Sequence, residues 1–466
     1  MIRGDPAAPA LIGADGDVLS YAVLSARVEQ TAAFMRPGTL LLLVGGNDID
    51  TLVHYLAALE ARTVPLLLGS TIARQHAQRL IELYQPDFVF AHADVRDLGP
   101  GYCKVGRGAN PALYKSMFGE QRPLHPDLAL LLPTSGSTGS PKLVRLSHRN
   151  LTSNAESIAA YLGIGPGERA ITTLPYHYSY GLSVINSHLH AGATVVLNDR
   201  SLVDRAFWDL LRREQASSLA GVPYTYEILL RLGLERLDMP SVRTMTQAGG
   251  KLADARTLAV GRACAARGIR FFSMYGQTEA TARIAYLEPE HLESKLGSIG
   301  HAIPGGSLSL RDDAGALITE ANKVGELVYA GPNVSLGYAQ CRDDLTHGDE
   351  NQGALATGDL ARVDDDGFYF LVGRKSRFLK IFGVRISTED VERVMADMGF
   401  EAAAGGNDDR LKIAVVCSPV EDLGALRDQL ALTLSVSASG LSIQRLEAIP
   451  RLESGKVDYA WINRTL

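Results

Sequence analysis

Hydroxyls, glycines and a lysine crowd one stretch of the chain, Thr134-Ser135-Gly136-Ser137-Thr138-Gly139-Ser140-Pro141-Lys142. Glycine lets a backbone approach a ligand closely, exposed N–H groups and hydroxyls bond phosphate oxygens, and lysine supplies positive charge. That composition suits a triphosphate. It is not the usual P-loop, because Pro141 precedes Lys142 and no Gly-Lys-Ser/Thr triplet opens a helix. Alone, such a string is most simply a surface turn. Other short turns each carry a charged residue: Tyr275-Gly276-Gln277-Thr278-Glu279, Thr357-Gly358-Asp359, Gly373-Arg374, and Pro450-Arg451-Leu452-Glu453-Ser454-Gly455-Lys456-Val457-Asp458.

The surrounding pattern shows what must position them. Between Tyr21 and His92, short apolar runs (Leu40 to Val44, Thr63 to Leu68, Asp87 to Ala91) alternate with helical stretches, as parallel strands joined by helices do. The rhythm returns at Ala193 to Asn198, Ser218 to Val222, Val242 to Gln247 and Arg270 to Met274, which gives a second α/β lobe. The hydroxyl-rich loop follows a buried strand, Leu128 to Leu132. After Gly297, turns such as Asp312-Asp313-Ala314-Gly315 and Asp364-Asp365-Asp366-Gly367 predict antiparallel hairpins and a small barrel-like sheet. Beyond Arg374 the sequence predicts strand Phe378 to Ile381, helix Ser387 to Met398, strand Lys412 to Cys417 and helix Leu423 to Leu434. The expectation is an α/β protein: residues 1–375 form a large N-terminal domain of two α/β lobes plus a distorted β-barrel, and residues 376–466 a small, mobile α+β C-terminal domain.

In order and spacing, these turns resemble the signatures of the adenylate-forming superfamily of acyl-CoA synthetases, peptide-synthetase adenylation domains and luciferases. The resemblance spans nearly the whole chain. It implies ATP binding by Thr134, Ser135, Gly136, Ser137, Thr138, Gly139 and Lys142. Tyr275, Gly276, Gln277, Thr278 and Glu279 match the adenine and magnesium motif, with Tyr275 toward the base and Thr278 toward the α-phosphate. A carboxylate beside a triphosphate is repelled unless a cation intervenes, so the pairing implies Mg²⁺ at Glu279. Gln247-Ala248-Gly249-Gly250 resembles the segment between the adenine and acyl sites. Asp359 is expected on the ribose hydroxyls, and Arg374 on ribose or phosphate. Relatives carry Asp or Lys as a hinge where this chain has Ser376. Lys380 to Ile386, with Gly383, resembles the segment used in the second half-reaction, and Lys456 the adenylation lysine.

His177, in Leu174-Pro175-Tyr176-His177-Tyr178-Ser179-Tyr180-Gly181, stands where amino-acid-activating relatives carry an aspartate for the substrate's ammonium. An ammonium buried without a counter-charge is costly, so an ordinary α-amino acid is disfavoured. Tyr178, Tyr224 and Gly250 are expected in the acyl pocket, and bulky rings there favour a compact acid. His188 and His190 lack a third nearby ligand and are expected to pack rather than bind zinc. The resemblance leaves three acceptors: coenzyme A, a carrier-protein thiol or an amine. With no carrier-like segment before Leu466, coenzyme A is preferred and the others are the alternative. A luciferase-like oxygenase would share the first step. A noncatalytic nucleotide binder would be expected to lack Lys456 or Glu279, and both are present.

Composition narrows the rest. Lys plus Arg number 46 against 52 Asp plus Glu, a formal charge of -6, which leaves no basic footprint for nucleic acid. The N-terminal residues have no apolar run resembling a signal peptide, and no run approaches the ~20 residues of a membrane span. The four cysteines are too scattered for a disulfide or zinc framework, so a cytoplasmic location is expected. The sequence leaves the oligomeric state open.

Overall fold

A computed structural model describes residues 2–72, 74–91, 101–105, 112–117, 123–133, 142–375, 378–381, 384–407, 410–434, 436–452 and 456–466; at 74–76, 112, 378, 380, 384 and 385 it describes the backbone alone. Two compact units emerge. The first is built from residues within 1–134, 140–308 and 329–355, the second from 309–328 and 356–466.

Two sheets organise the first unit. In one, Leu40–Gly45 lies between Val64–Gly69 and Phe88–Ala91, parallel to both. Every residue of these three strands is apolar or glycine, and every one is buried. Near-continuous apolar runs are what a parallel strand covered on both faces requires. Leu128–Pro133 and Leu143–Ser147 extend this sheet as an antiparallel pair, and Gly337–Ala339 closes its edge by pairing with Leu143–Ser147.

The other sheet carries parallel strands Thr194–Val196, Arg169–Ile171, Ser218–Gly221, Thr244–Gln247 and Arg270–Tyr275. Four of these are the strands expected of a second α/β lobe, with ends shifted by a residue or a few; Arg169–Ile171 is a strand the sequence reading did not single out. Local periodicity did not single out Pro9–Ile12, which adds beside Thr194–Val196. That pairing joins distant parts of the chain, so no local pattern announces it. Helices begin with the polar caps expected at exposed N–H groups: Asp48 caps Ile49–Glu60, and Ser147 with Asn150 forms a capping box on His148–Leu162. No helix among the described residues is long and apolar enough to cross a membrane.

The second unit has the expected hairpins. Asp312 accepts from the backbone of Ala314 and Ala316, and Asp364 from that of Asp366 and Phe368, each carboxylate fixing its own turn. Ala354–Val363 and Tyr369–Arg374 pair around the second turn. Further on, Glu401–Asn407, Arg410–Val416 and Leu441–Leu446 form a three-stranded sheet. Val391, Met395, Ile413 and Leu430 pack on one side, and Ile462 of the helix Tyr459–Thr465 packs with Ala403 and Ala414.

Candidate active site

Strand Arg270–Tyr275 ends in the turn that carries Thr278 and Glu279. The turn is tight for a visible reason. A Cβ on Gly276 would lie 1.7 Å from the Ala282 carbonyl oxygen, so only glycine fits. Thr281 and Ala282 take φ values of 62° and 146°, each a strained choice for a residue with a side chain. Buried Asn333 holds them there: its amide donates to the carbonyls of Ala280 and Arg283, both at 2.8 Å, and its backbone carbonyl accepts from the Thr281 hydroxyl at 2.6 Å. Asn333 is itself oriented by the Tyr329 hydroxyl at 2.7 Å, and Asn150 ties down the neighbouring carbonyls of Pro332 and Val334.

Tyr338 joins two of the charged candidates. Its hydroxyl donates to Glu279 Oε1 at 2.8 Å, and Lys142 Nζ lies 3.4 Å from its ring centroid. The ring thus holds a cation by its face and a carboxylate by its edge group. Burial first, then the adjacent Glu279 carboxylate, pushes the Tyr338 hydroxyl up, so it remains protonated and donating. Sequence reasoning missed both Tyr338 and Asn333. Their signal was faint: each lies within the glycine-bounded stretch Gly331 to Gly337 or just after it, far in sequence from Glu279.

The other candidates in the first unit take definite places. Thr278 Oγ1 is 3.1 Å from the Ser179 hydroxyl at the start of helix Ser179–His190. Gln277 donates to the Tyr275 hydroxyl at 3.1 Å. Gly249 has φ of 85°, and Gln247 closes the turn by donating to the Gly250 carbonyl at 2.8 Å. His177 lies against Gly69, where an added Cβ would come within 2.7 Å of its ring. The rings expected to narrow an acyl pocket divide instead. Tyr176 donates to the carbonyls of Leu43 and Leu68, and Tyr180 and Tyr226 both donate to that of Thr246, so these three are core residues with satisfied hydroxyls. Tyr224 is exposed, while Tyr178 is partly buried at an edge-on angle to Tyr180. His188 is buried, bonded to the Val184 carbonyl and near Ser218; among the described residues no cluster of His, Cys, Asp and Glu could hold a metal by itself.

In the second unit, Asp359 and Arg374 face each other across the hairpin, and Arg374 Nε donates to Asp359 Oδ1 at 2.7 Å. Asp359 is buried and Arg374 exposed. Lys456 is half-buried; its carbonyl accepts from the Leu452 backbone, and Arg451 pairs with Val457 beside it. The backbone of Lys380 lies in strand Phe378–Ile381. Thr134, Ser135, Gly136, Ser137, Thr138, Gly139, Ser376 and Gly383 lie outside the described residues.

A family model described as AMP-binding enzyme matches residues 2–339. The chain belongs to the AMP-binding enzyme family. It is 28% identical to indoleacetate–CoA ligase of Aromatoleum aromaticum, over 94% of this chain and 91% of that protein. It is 29% identical to feruloyl-CoA synthase of an Amycolatopsis species, over 95% and 93%. The fold of this AMP-binding enzyme is also that of O-succinylbenzoate coenzyme A synthetase (MenE) from Bacillus subtilis, solved with ATP and magnesium. That likeness has a TM-score of 0.78 at 24% identity, covering 98% of this chain and 97% of the other. ATP-bound MatB from Rhodopseudomonas palustris gives a TM-score of 0.78 at 23% identity, with 99% and 96% covered.

Proposed function

We propose that this AMP-binding enzyme activates a carboxylic acid with Mg-ATP and passes the acyl group to coenzyme A. The observation that carries the reading is Tyr338, which holds Lys142 and Glu279 on one ring although they come from separate motifs. In the first step a carboxylate oxygen of the acid attacks the α-phosphorus of ATP, the bond from that phosphorus to the α–β bridging oxygen breaks, and pyrophosphate leaves with the electron pair. Lys142 and the loop 134–139 hold the outer phosphates, and Thr278 faces the α-phosphate. Glu279 offers a carboxylate at this place, with its Oε1 accepting from Tyr338. A single carboxylate fits Mg²⁺, which keeps water and substrate phosphates as its other ligands. Held by Glu279, the ion would supply neutralising charge to the phosphates. Lys456 supplies positive charge to the attacking carboxylate and the α-phosphate as charge develops.

In the second step the coenzyme A thiolate attacks the acyl carbon and AMP leaves, giving a thioester. Residues 376–466 serve as the small domain that turns near Ser376, exchanging Lys456 for the Lys380 to Ile386 segment, so that one site serves both steps. The CoA-ligase relatives support coenzyme A over a carrier-protein thiol or an amine. Pyrophosphate release with Mg-ATP across aryl, cyclic, alkyl and amino acids, with and without coenzyme A, tests the reading. Acid-dependent release with a thioester mass only when coenzyme A is present is expected. Release without a thioester moves the acceptor to a carrier protein or amine, and no acid-dependent release overturns adenylation.

A further inference from the structure

Two arginines are wholly buried in the first unit, and they are treated very differently. Arg145 donates to the carbonyls of Tyr338, His347, Gly348 and Leu336 and to Glu350 at 2.6 Å. Every nitrogen of its guanidinium is used. Arg283 is 1% exposed, yet its Nε and Nη1 have no hydrogen-bond partner, and no carboxylate lies within ion-pair distance of it among the described residues. A buried cation left in this state is among the costliest features a protein interior can hold. It is not a loosely placed side chain. The Arg283 carbonyl is held by Asn333, and the guanidinium lies 3.9 Å from the Tyr180 ring centroid.

Arg283 also lines a cavity of about 20 Å³, together with Ala220, Thr246, Ser218, His188 and Glu168. One water needs ~10–15 Å³ by this measure, so the space takes a water or two, or the end of a ligand, but not a whole acid. Glu168 is not the missing counter-charge, being committed to Arg243 at 2.9 Å and to the Ser217 hydroxyl. The position matters. Ala220 opens the turn expected to line the acyl pocket, and Thr246 immediately precedes Gln247 to Gly250. Arg283 is also close enough to Tyr178 to offset part of the rise that burial imposes on its hydroxyl.

We propose that Arg283 is the counter-charge for a second carboxylate on the acid, so that the substrate is a dicarboxylic acid whose far carboxylate enters this cavity while the other is adenylated. The inference rests on the adenylation reading above. A carboxylate supplies both the negative charge and the acceptors that Nε and Nη1 lack, and a guanidinium is the side chain best suited to bind it.

The test measures kcat/KM for pyrophosphate release with Mg-ATP across a series of alkyl and aryl dicarboxylic acids of increasing spacing, each against its monomethyl ester. For at least one spacing the diacid is expected to exceed its half-ester by about tenfold or more, the size of a charged hydrogen bond gained or lost. Arg283→Leu brings that ratio to near one, and Arg283→Lys restores part of it. Half-esters matching their diacids throughout in the wild type, or a preference that survives Arg283→Leu, overturns the proposal. If Arg283→Leu does not fold, the wild-type ratio decides, together with the thermal shift each ligand gives the wild-type protein. Turnover of monoacids without diacid preference removes this inference and leaves adenylation standing; no turnover of any acid removes both.

Discussion

Glu279 and Lys456 are held in opposite ways. Around Glu279 the chain is over-determined: Gly276 has no room for a side chain, two residues sit at positive φ, and Asn333 ties three points of the turn together. Near Lys456 the backbone pairs Leu452 with Lys456 and Arg451 with Val457, beside a helix of seven residues, Tyr459–Thr465. The first arrangement fixes a carboxylate in place through buried polar contacts. The second is a half-buried lysine whose backbone is held by strand-like pairing. On the proposed function, the contrast predicts that damage near Glu279 costs stability together with activity, and that damage at Lys456 costs activity alone.

The sharpest way to break the contrast is Lys456→Ala. Adenylation should fall by about 100-fold or more, the scale of losing one charge-stabilising donor, while attack on supplied acyl-AMP largely survives and the melting temperature barely moves. Pyrophosphate release and single-turnover thioester formation measure the two steps. Equal loss in both would end the division of labour. Asn333→Ala should cost stability as well as activity, destabilising the first unit by about 3 kcal/mol because the carbonyls of Ala280 and Arg283 and the Tyr329 hydroxyl lose their partner. Denaturant titration followed by first-unit fluorescence reads it, and an unchanged midpoint would show the turn holding itself.

Acid separates the units in another way. All 11 histidines fall between His54 and His347, within the segments of the first unit. Burial lowers His188 to about 4, as burial first and then Arg62 do for His148. Unfolded histidine titrates near 6.5, so the unfolded chain takes up these protons first as pH falls. Stability from each group is therefore complete above about pH 6.5 and is lost as pH falls toward 4, by about 2 kcal/mol for His188 at pH 5. His188→Gln should flatten that slope in melts between pH 7 and 5; a slope untouched by the substitution would assign it elsewhere. The smallest effect is expected from Tyr338→Phe, which keeps the ring under Lys142 and removes the bond to Glu279. A loss of about fivefold, seen as a raised Mg²⁺ requirement, is expected from one hydrogen bond to a charged group. No change at limiting Mg²⁺ would make Tyr338 a bystander.

The charged turns were legible because a glycine, a hydroxyl and a charge within a few residues form a local pattern. So were the parallel strands, whose apolar runs declare burial on both faces. Tyr338, Asn333 and Pro9–Ile12 were not, because what each does depends on a partner far along the chain. Arg283 left a trace: a charge in the otherwise apolar run Ala282 to Ala285 is out of place in a core. The aromatic segments misled in part, since a tyrosine that lines a pocket and one that satisfies a core carbonyl look alike until the carbonyl is seen.

The return of the chain at Tyr329 to the first unit sets a timetable for synthesis. Residues 309–328 belong to the second unit, and Gly337–Ala339 comes only after that excursion. Until it emerges from the ribosome, Leu143–Ser147 is an open edge, Glu279 has no tyrosine and the Thr281 turn has no asparagine. The partners that hold Glu279 and the Thr281 turn are therefore made after the residues they hold.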